Sequence, residues 1–291
     1  MFAKNKKWIF LIILALIWGS SFILIKKSLI GLTALQLGAL RIIISGLFIL
    51  MIGFHTLKKL SRTDWKWVII AGIIGTFIPA FMFAFAISEI DSSIASILNS
   101  LTPLNTILFG FFLFNISSTK RQITGVIIGF IGTSILIGAG MKLNPNQNYF
   151  YAAFIILATF MYATNINIIK RYLQDVSALA IAAGNFATVI IPAFLVLVFT
   201  GFFTREVLTN PELKMAMVYI VILSIVGTAI AKIMFNKMVQ MSTPVFASSV
   251  TYLIPIVALT WGIWDGEHFG VSQGLGAVLI LLGVYLSNRR K

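Results

Sequence analysis

Asn99 and Thr102 stand four and seven positions after Ala95 in an uncharged stretch, a spacing that sets all three on one face of a helix. An amide and a hydroxyl on such a face orient a bound molecule by hydrogen bonding. In hydrocarbon, polar groups of this kind need a partner or a wet cavity. A second stretch repeats the arrangement, with Ala247, Thr251 and Ile254 on the matching face and Tyr252 beside them. Trp18, Ser20 and Ser21 come from a third stretch, Tyr162 and Asn165 from a fourth. Together they predict a mostly neutral substrate cavity, with amides and hydroxyls for orientation and aromatic walls for bulk. Trp18 and Tyr162 lie too deep for an interfacial aromatic belt, which favours the cavity. The competing reading is packing, because serine and threonine also let membrane helices approach closely.

Pro103 and Pro255 are read as helix kinks that release backbone carbonyls, for gating or as fixed bends. Arg41 lies about 10 Å below the outer end of its helix, from the rise per residue. Three roles are open to it: binding a substrate carboxylate, pairing with Glu89, or snorkelling to the interface. Lys232, near the inner end of its helix, is expected to snorkel. All eight acidic residues fall in connections or near helix ends, so no mid-membrane carboxylate is available as a proton relay. That weakens proton antiport without excluding it; uniport or exchange down a gradient needs no titrating group.

Other chemistries find little support. The chain has no cysteine, and both histidines, His55 and His268, fall in predicted connections, so no metal site is expected. It contains neither a G-x-x-x-x-G-K-[ST] phosphate loop nor an H-E-x-x-H motif. ATP hydrolysis, membrane-enzyme catalysis and a bound cofactor are therefore not expected. The net charge of +14 sits in short clusters at alternate helix ends, an arrangement that does not suit nucleic acid. Hydrophobic residues make up 59% of the chain and charged ones 10%, with a mean hydropathy of +1.01. Soluble domains carry roughly 25% charged residues. The expected partners are thus the lipid bilayer and a small-molecule substrate.

The elements that must position these residues are about ten apolar stretches of transmembrane length. They are predicted at 8–26, 34–53, 66–88, 92–114, 122–141, 149–169, 178–201, 215–236, 244–264 and 270–287. With a cytoplasmic N-terminus, the inner side collects the basic residues of 4–7, 58–66, 120–121, 170–171, 237 and 289–291. The outer side has only Lys26, Lys27, Lys142, Arg205 and Lys214, a strong positive-inside bias. Both ends are then cytoplasmic. Cleavage of the first stretch as a signal peptide is not expected, since no A-x-A site follows it.

The second half repeats the first. Trp18 aligns with Tyr162, Lys26-Lys27 with Lys170-Arg171, and Arg41 with Asn185. Ala95-Ser96-x4-Leu101-x-Pro103 matches Ala247-Ser248-x4-Leu253-x-Pro255, and Gly125-x6-Gly132 matches Gly276-x6-Gly283. Five stretches per half, an odd number, require the halves to be inserted in opposite senses, an architecture that places a substrate site between them. The halves are taken as 1–143 and 144–291. Gly125-x3-Gly129 and Gly270-x3-Gly274 allow close helix approach, preferred here within one molecule.

Trp18-Gly19-Ser20-Ser21-Phe22, Arg41, the two alanine-to-proline segments and the closing Gly276…Gly283 stretch resemble the drug/metabolite transporter superfamily, in its EamA-type ten-helix exporters. The resemblance covers nearly the whole chain. It implies an all-α polytopic protein of two inverted five-helix repeats in the cell's inner membrane, exporting metabolites, amino acids or drugs without ATP. One departure stands out. The glutamate that commonly follows helices 4 and 9 is present as Glu267 but replaced by Asn115 in the first half. A passive channel or lipid scramblase of the same architecture is the alternative function.

Overall fold

The computed structural model describes residues 2–114 and 120–288, and all regular structure among them is helical. The α-helices are α1 (Phe2–Ser28), α2 (Ala34–Gly53), α3 (Arg62–Gly72), α4 (Ile78–Ile87), α5 (Ser92–Asn99), α6 (Thr102–Phe114), α7 (Lys120–Leu143) and α8 (Ala152–Tyr172). They continue with α9 (Ala178–Phe199), α10 (Arg205–Leu208), α11 (Leu213–Ile222), α12 (Ala231–Met241), α13 (Pro244–Ser248), α14 (Ile254–Trp264) and α15 (Val271–Asn288). Asn115, the departure in the first half, lies outside the described residues, as do the basic residues 289–291.

Local chemistry fixes several starts. Thr33 and Gln36 form a reciprocal capping box on α2, and Ser61 and Asp64 another on α3. Ser177 and Thr243 cap α9 and α13 through their hydroxyls.

Among the described residues, eight helical spans are long and apolar enough to cross a membrane: Lys6–Ser28, Ala34–Lys59, Arg62–Ile87, Ile123–Leu143, Tyr149–Tyr172, Ala178–Phe199, Leu213–Met241 and Pro244–Trp264. Large apolar side chains such as Leu47, Met51, Ile191, Phe199 and Trp264 are exposed along them. Such surface is costly in water and at home in lipid tails. The chain is a multi-pass membrane protein.

Two predicted rods are interrupted. The 92–114 stretch breaks at Ser100-Leu101, and 244–264 passes through a 3₁₀ turn, Ser249–Tyr252. Pro103 and Pro255 therefore do not bend continuous helices; each is the second residue of a new one, α6 and α14. A proline has no N–H for the carbonyl four residues earlier and its ring collides with that group. A start, where no such bond is needed, is the position it tolerates. Threonine hydroxyls occupy nearby carbonyls instead: Thr102 Oγ1 donates to Asn99 O at 2.8 Å and Thr251 Oγ1 to Ser248 O at 2.9 Å.

Two further rods widen without breaking. A π segment, Ile73–Phe77, joins α3 to α4, and another, Leu223–Ile230, joins α11 to α12. Such wide turns free carbonyls from the regular ladder.

The glycine pattern serves packing of α7 on α15. A Cβ added to Gly283 would stand 2.5 Å from Gly125 O and 2.6 Å from Gly129 N, and one on Gly276 would stand 2.7 Å from Leu136 N. Backbone faces backbone, so only glycine fits. Gly270 and Gly274 meet side chains at ordinary or slightly tight distances and do not join this contact.

One end of the helix set is tied by charge. Lys26 Nζ lies 2.8 Å from Asp265 Oδ2 and 3.0 Å from Glu267 Oε1, and Lys27 pairs with Asp265. Glu267 also accepts the Ser92 and Ser93 backbone N–H groups, both at 3.0 Å, and the Ser92 hydroxyl at 2.7 Å. A carboxylate on the first N–H groups of α5 meets the positive end of that helix. Burial pushes the Glu267 carboxyl upward, but the Ser93 and Ser92 hydrogen bonds and Lys26 outweigh it and hold it below its ordinary value. Asp91 differs: burial raises it, although Gln147 Nε2 and Asn144 Nδ2 donate to its two oxygens.

Candidate functional site

Within the helix set lies a cavity of about 120 Å³, similar in scale to the ~150 Å³ engineered cavity known to take benzene. Trp18, Ser21, Phe22 and Ile25 come from α1, Arg41 and Ile42 from α2. Gly75 and Thr76 come from the first π segment, Gly227 and Thr228 from the second. Asn99 ends α5, Thr102 begins α6, and α8 adds Tyr162, Asn165 and Ile166. Lys232, Phe235, Ser248, Val250, Thr251 and Ile254 complete the far wall with Ala80 and Phe83.

The π segments provide the hydrogen-bonding frame. Trp18 Nε1 donates to Gly227 O at 3.0 Å, and Lys232 Nζ donates to Gly75 O at 2.8 Å. Arg41 Nε donates to Thr228 Oγ1 at 2.7 Å. Aromatic rings brace this frame: Trp18 lies 5.0 Å from Phe235 between centroids, and Phe83 lies 5.9 Å from Tyr162. Two buried oxygens at the wall, Thr76 Oγ1 and Asn165 Oδ1, make no hydrogen bond. Glycine at 75 is required by proximity, because a Cβ there would stand 2.5 Å from the Asn165 amide. Gly75→Ala is accordingly expected to push that amide into the cavity. A raised KM for transport at normal expression would register the change; an unaltered KM would place Asn165 elsewhere.

A model of the EamA-like transporter family matches residues 6–138 and again 149–289. The chain belongs to this family. An uncharacterized transporter of Archaeoglobus fulgidus is 24% identical over 298 residues, covering 99% of each chain. The inner membrane transporter YedA of Escherichia coli K12, itself uncharacterized, is 26% identical over 94% of this chain and 90% of its own. Protein PecM of Dickeya dadantii is 24% identical over 94% and 92%. A solved crystal structure shares the fold, with a TM-score of 0.67 at 18% identity, over 97% of this chain and 96% of that one. This chain is a membrane transporter, and the family points to transport rather than catalysis.

Trp18, Ser21, Arg41, Asn99, Thr102, Tyr162, Asn165 and Thr251, all singled out by residue type, meet at the cavity. Ser20 does not. It is one residue from Ser21, about 100° around the helix, and its hydroxyl accepts the Trp261 indole N–H at 2.9 Å. Tyr252 is half-buried and packs at the edge of the core, outside the lining. Pro103 and Pro255 are likewise outside it. Arg41 does not pair with Glu89, which is half-buried just beyond the end of the 62–87 rod; its partner is Thr228. Lys232 does not snorkel. It is only 7% exposed and reaches inward, where the Gly75 carbonyl offers an acceptor that lipid cannot.

The expectation of a neutral cavity is thus corrected: two cations line it. Sequence reasoning also missed Gly75-Thr76 and Gly227-Thr228. The signal was present, since these identical dipeptides are 152 positions apart, the same offset as Pro103 and Pro255.

Proposed function

We propose that this chain is a secondary carrier that exports small organic metabolites, such as amino acids, related compounds or drugs, across the cell's inner membrane by alternating access and without ATP hydrolysis. The observation that carries this reading is a cavity bounded by elements of both halves, 1–143 and 144–291, with a wide helical turn from each half in its wall. All ten apolar stretches cross the bilayer, the two proline-interrupted ones included, as two oppositely inserted repeats with both termini in the cytoplasm. Support for this comes from the spacing of the repeat and the distribution of Lys and Arg.

In this mechanism Trp18, Tyr162 and their aromatic neighbours hold the body of the substrate. Ser21, Asn99, Thr102, Asn165 and Thr251 orient it through hydroxyls and amides. The breaks before Pro103 and Pro255 let the half-helices reorient without unravelling a continuous ladder. The Lys26–Lys27–Asp265–Glu267 cluster closes the outer mouth and must part for release.

Purified protein in proteoliposomes should give flux that saturates with substrate concentration and accelerates when substrate is also present on the far side. Flux that rises without limit and ignores the far side would establish the channel or scramblase alternative.

A further inference from the structure

Both cations at the cavity lack a counter-charge. Arg41 and Lys232 approach it from different helices, and their hydrogen-bond partners are neutral: a threonine hydroxyl and a backbone carbonyl. All eight acidic residues of the chain are among those described, and none reaches the lining. The ion pairs of Lys26 and Lys27 with Asp265 and Glu267 lie outside this lining. An isolated charge out of water is strongly unfavourable, and a ligand of opposite charge would relieve it.

The two cations are also placed to act together. Thr228, which holds the guanidinium, precedes Lys232 by four residues on the same rod, where the second π segment passes into α12. With Nε occupied by Thr228, the terminal amino groups of Arg41 keep four N–H donors in a planar fork, and the Lys232 ammonium keeps two. Thr76 and Asn165, whose buried oxygens make no hydrogen bond, flank the Gly75 carbonyl that anchors Lys232. A hydroxyl and an amide oxygen there can accept an O–H or N–H from a ligand.

We propose that the transported molecule is a small organic anion whose carboxylate sits between Arg41 and Lys232 and whose hydroxyl or amino group donates to Asn165 and Thr76. This rests on the carrier reading and narrows it from metabolites in general to carboxylates. The planar fork suits a carboxylate. Trp18, Phe83 and Phe235 suit an apolar or aromatic body attached to it, within the limited volume.

Thermal-shift measurements on the purified full-length protein would use phenyllactate, malate and glutamate. Phenyllactamide, cadaverine and inorganic phosphate would serve as neutral, cationic and non-carboxylate controls. At least one carboxylate is expected to raise Tm, with no shift from the controls. Lys232→Met and Arg41→Met should each weaken that carboxylate's binding tenfold or more, and Lys232→Arg should restore part of it. Without ligand, Lys232→Met should melt at or above the wild type, since it removes an uncompensated charge; a structural lysine would melt lower when replaced.

The proposal is overturned if no carboxylate shifts Tm, if cadaverine, phosphate or the neutral amide binds as well, or if unliganded Lys232→Met melts lower. Binding is read separately from flux. A carboxylate that binds but is not carried saturably would remove the carrier reading and leave the anion site. Saturable flux of neutral or cationic compounds alone would do the reverse.

Discussion

Glu267→Ala is expected to lower the melting temperature of the purified protein by roughly 6 °C, equivalent to about 3 kcal/mol for a chain of this size. The side chain is 1% exposed and serves Lys26, Ser92 and Ser93 at once. Removing it strands two backbone N–H groups at the start of α5 and leaves Lys26 with Asp265 alone. The estimate sits at the low end for a broken buried pair because Lys26 is 32% exposed. Glu267→Gln should cost less, since an amide oxygen can still accept one N–H.

The sign of the pH effect follows from the shift. Glu267 is held below its ordinary 4.5, so its stabilisation is complete above that value and disappears as pH falls through the lower folded-state value. Asp91, raised by burial, acts in the opposite sense, since acid relieves its desolvation. Wild-type Tm should fall on acidification below about 4.5, and Glu267→Gln should fall less. Parallel acid profiles for the two proteins would show that Glu267 is not the controlling group.

Trp18→Ala should damage both stability and transport. The indole fills the cavity wall against Phe235 and donates to the carbonyl of Gly227. Truncating a large aromatic side chain costs about 3 kcal/mol when it is partly buried. Trp18→Phe keeps an aromatic ring but gives up the pyrrole half of the indole with its N–H, so it should recover part of the stability. Transport separates the roles. If Trp18 holds substrate, Trp18→Phe raises KM in the folded protein; a normal KM would leave the residue as packing alone.

The broad architecture was legible because lipid imposes a simple rule. Backbone in hydrocarbon must be helical and its surface apolar, so hydropathy and Lys/Arg placement mark where helices run. The meeting of Trp18, Asn99, Tyr162 and Thr251 was legible for a related reason, since polar and aromatic types deep in apolar stretches have few other places to go. Lys232 was not. Position along the chain put it near a helix end, where a lysine ordinarily reaches for water, whereas its ammonium is turned inward onto the Gly75 carbonyl. Nothing in hydropathy announces a wide helical turn. The breaks before Pro103 and Pro255 were half legible: the prolines flagged irregularity, but a kink and a fresh start look alike until the backbone is traced.

The π segments carry a consequence for how the chain can change. In the five residues Ile73–Phe77, the wide turn holds one more residue than an ordinary turn would. Deleting a single residue there would restore regular winding and leave Ala80 and Phe83 in register, because the wide turn itself absorbs the change. The change would fall on Gly75 and Thr76, and with them on the carbonyl that anchors Lys232. Length in these two short stretches is therefore a coordinate of specificity, and relatives that gain or lose a residue there would present a differently furnished interior on the same scaffold.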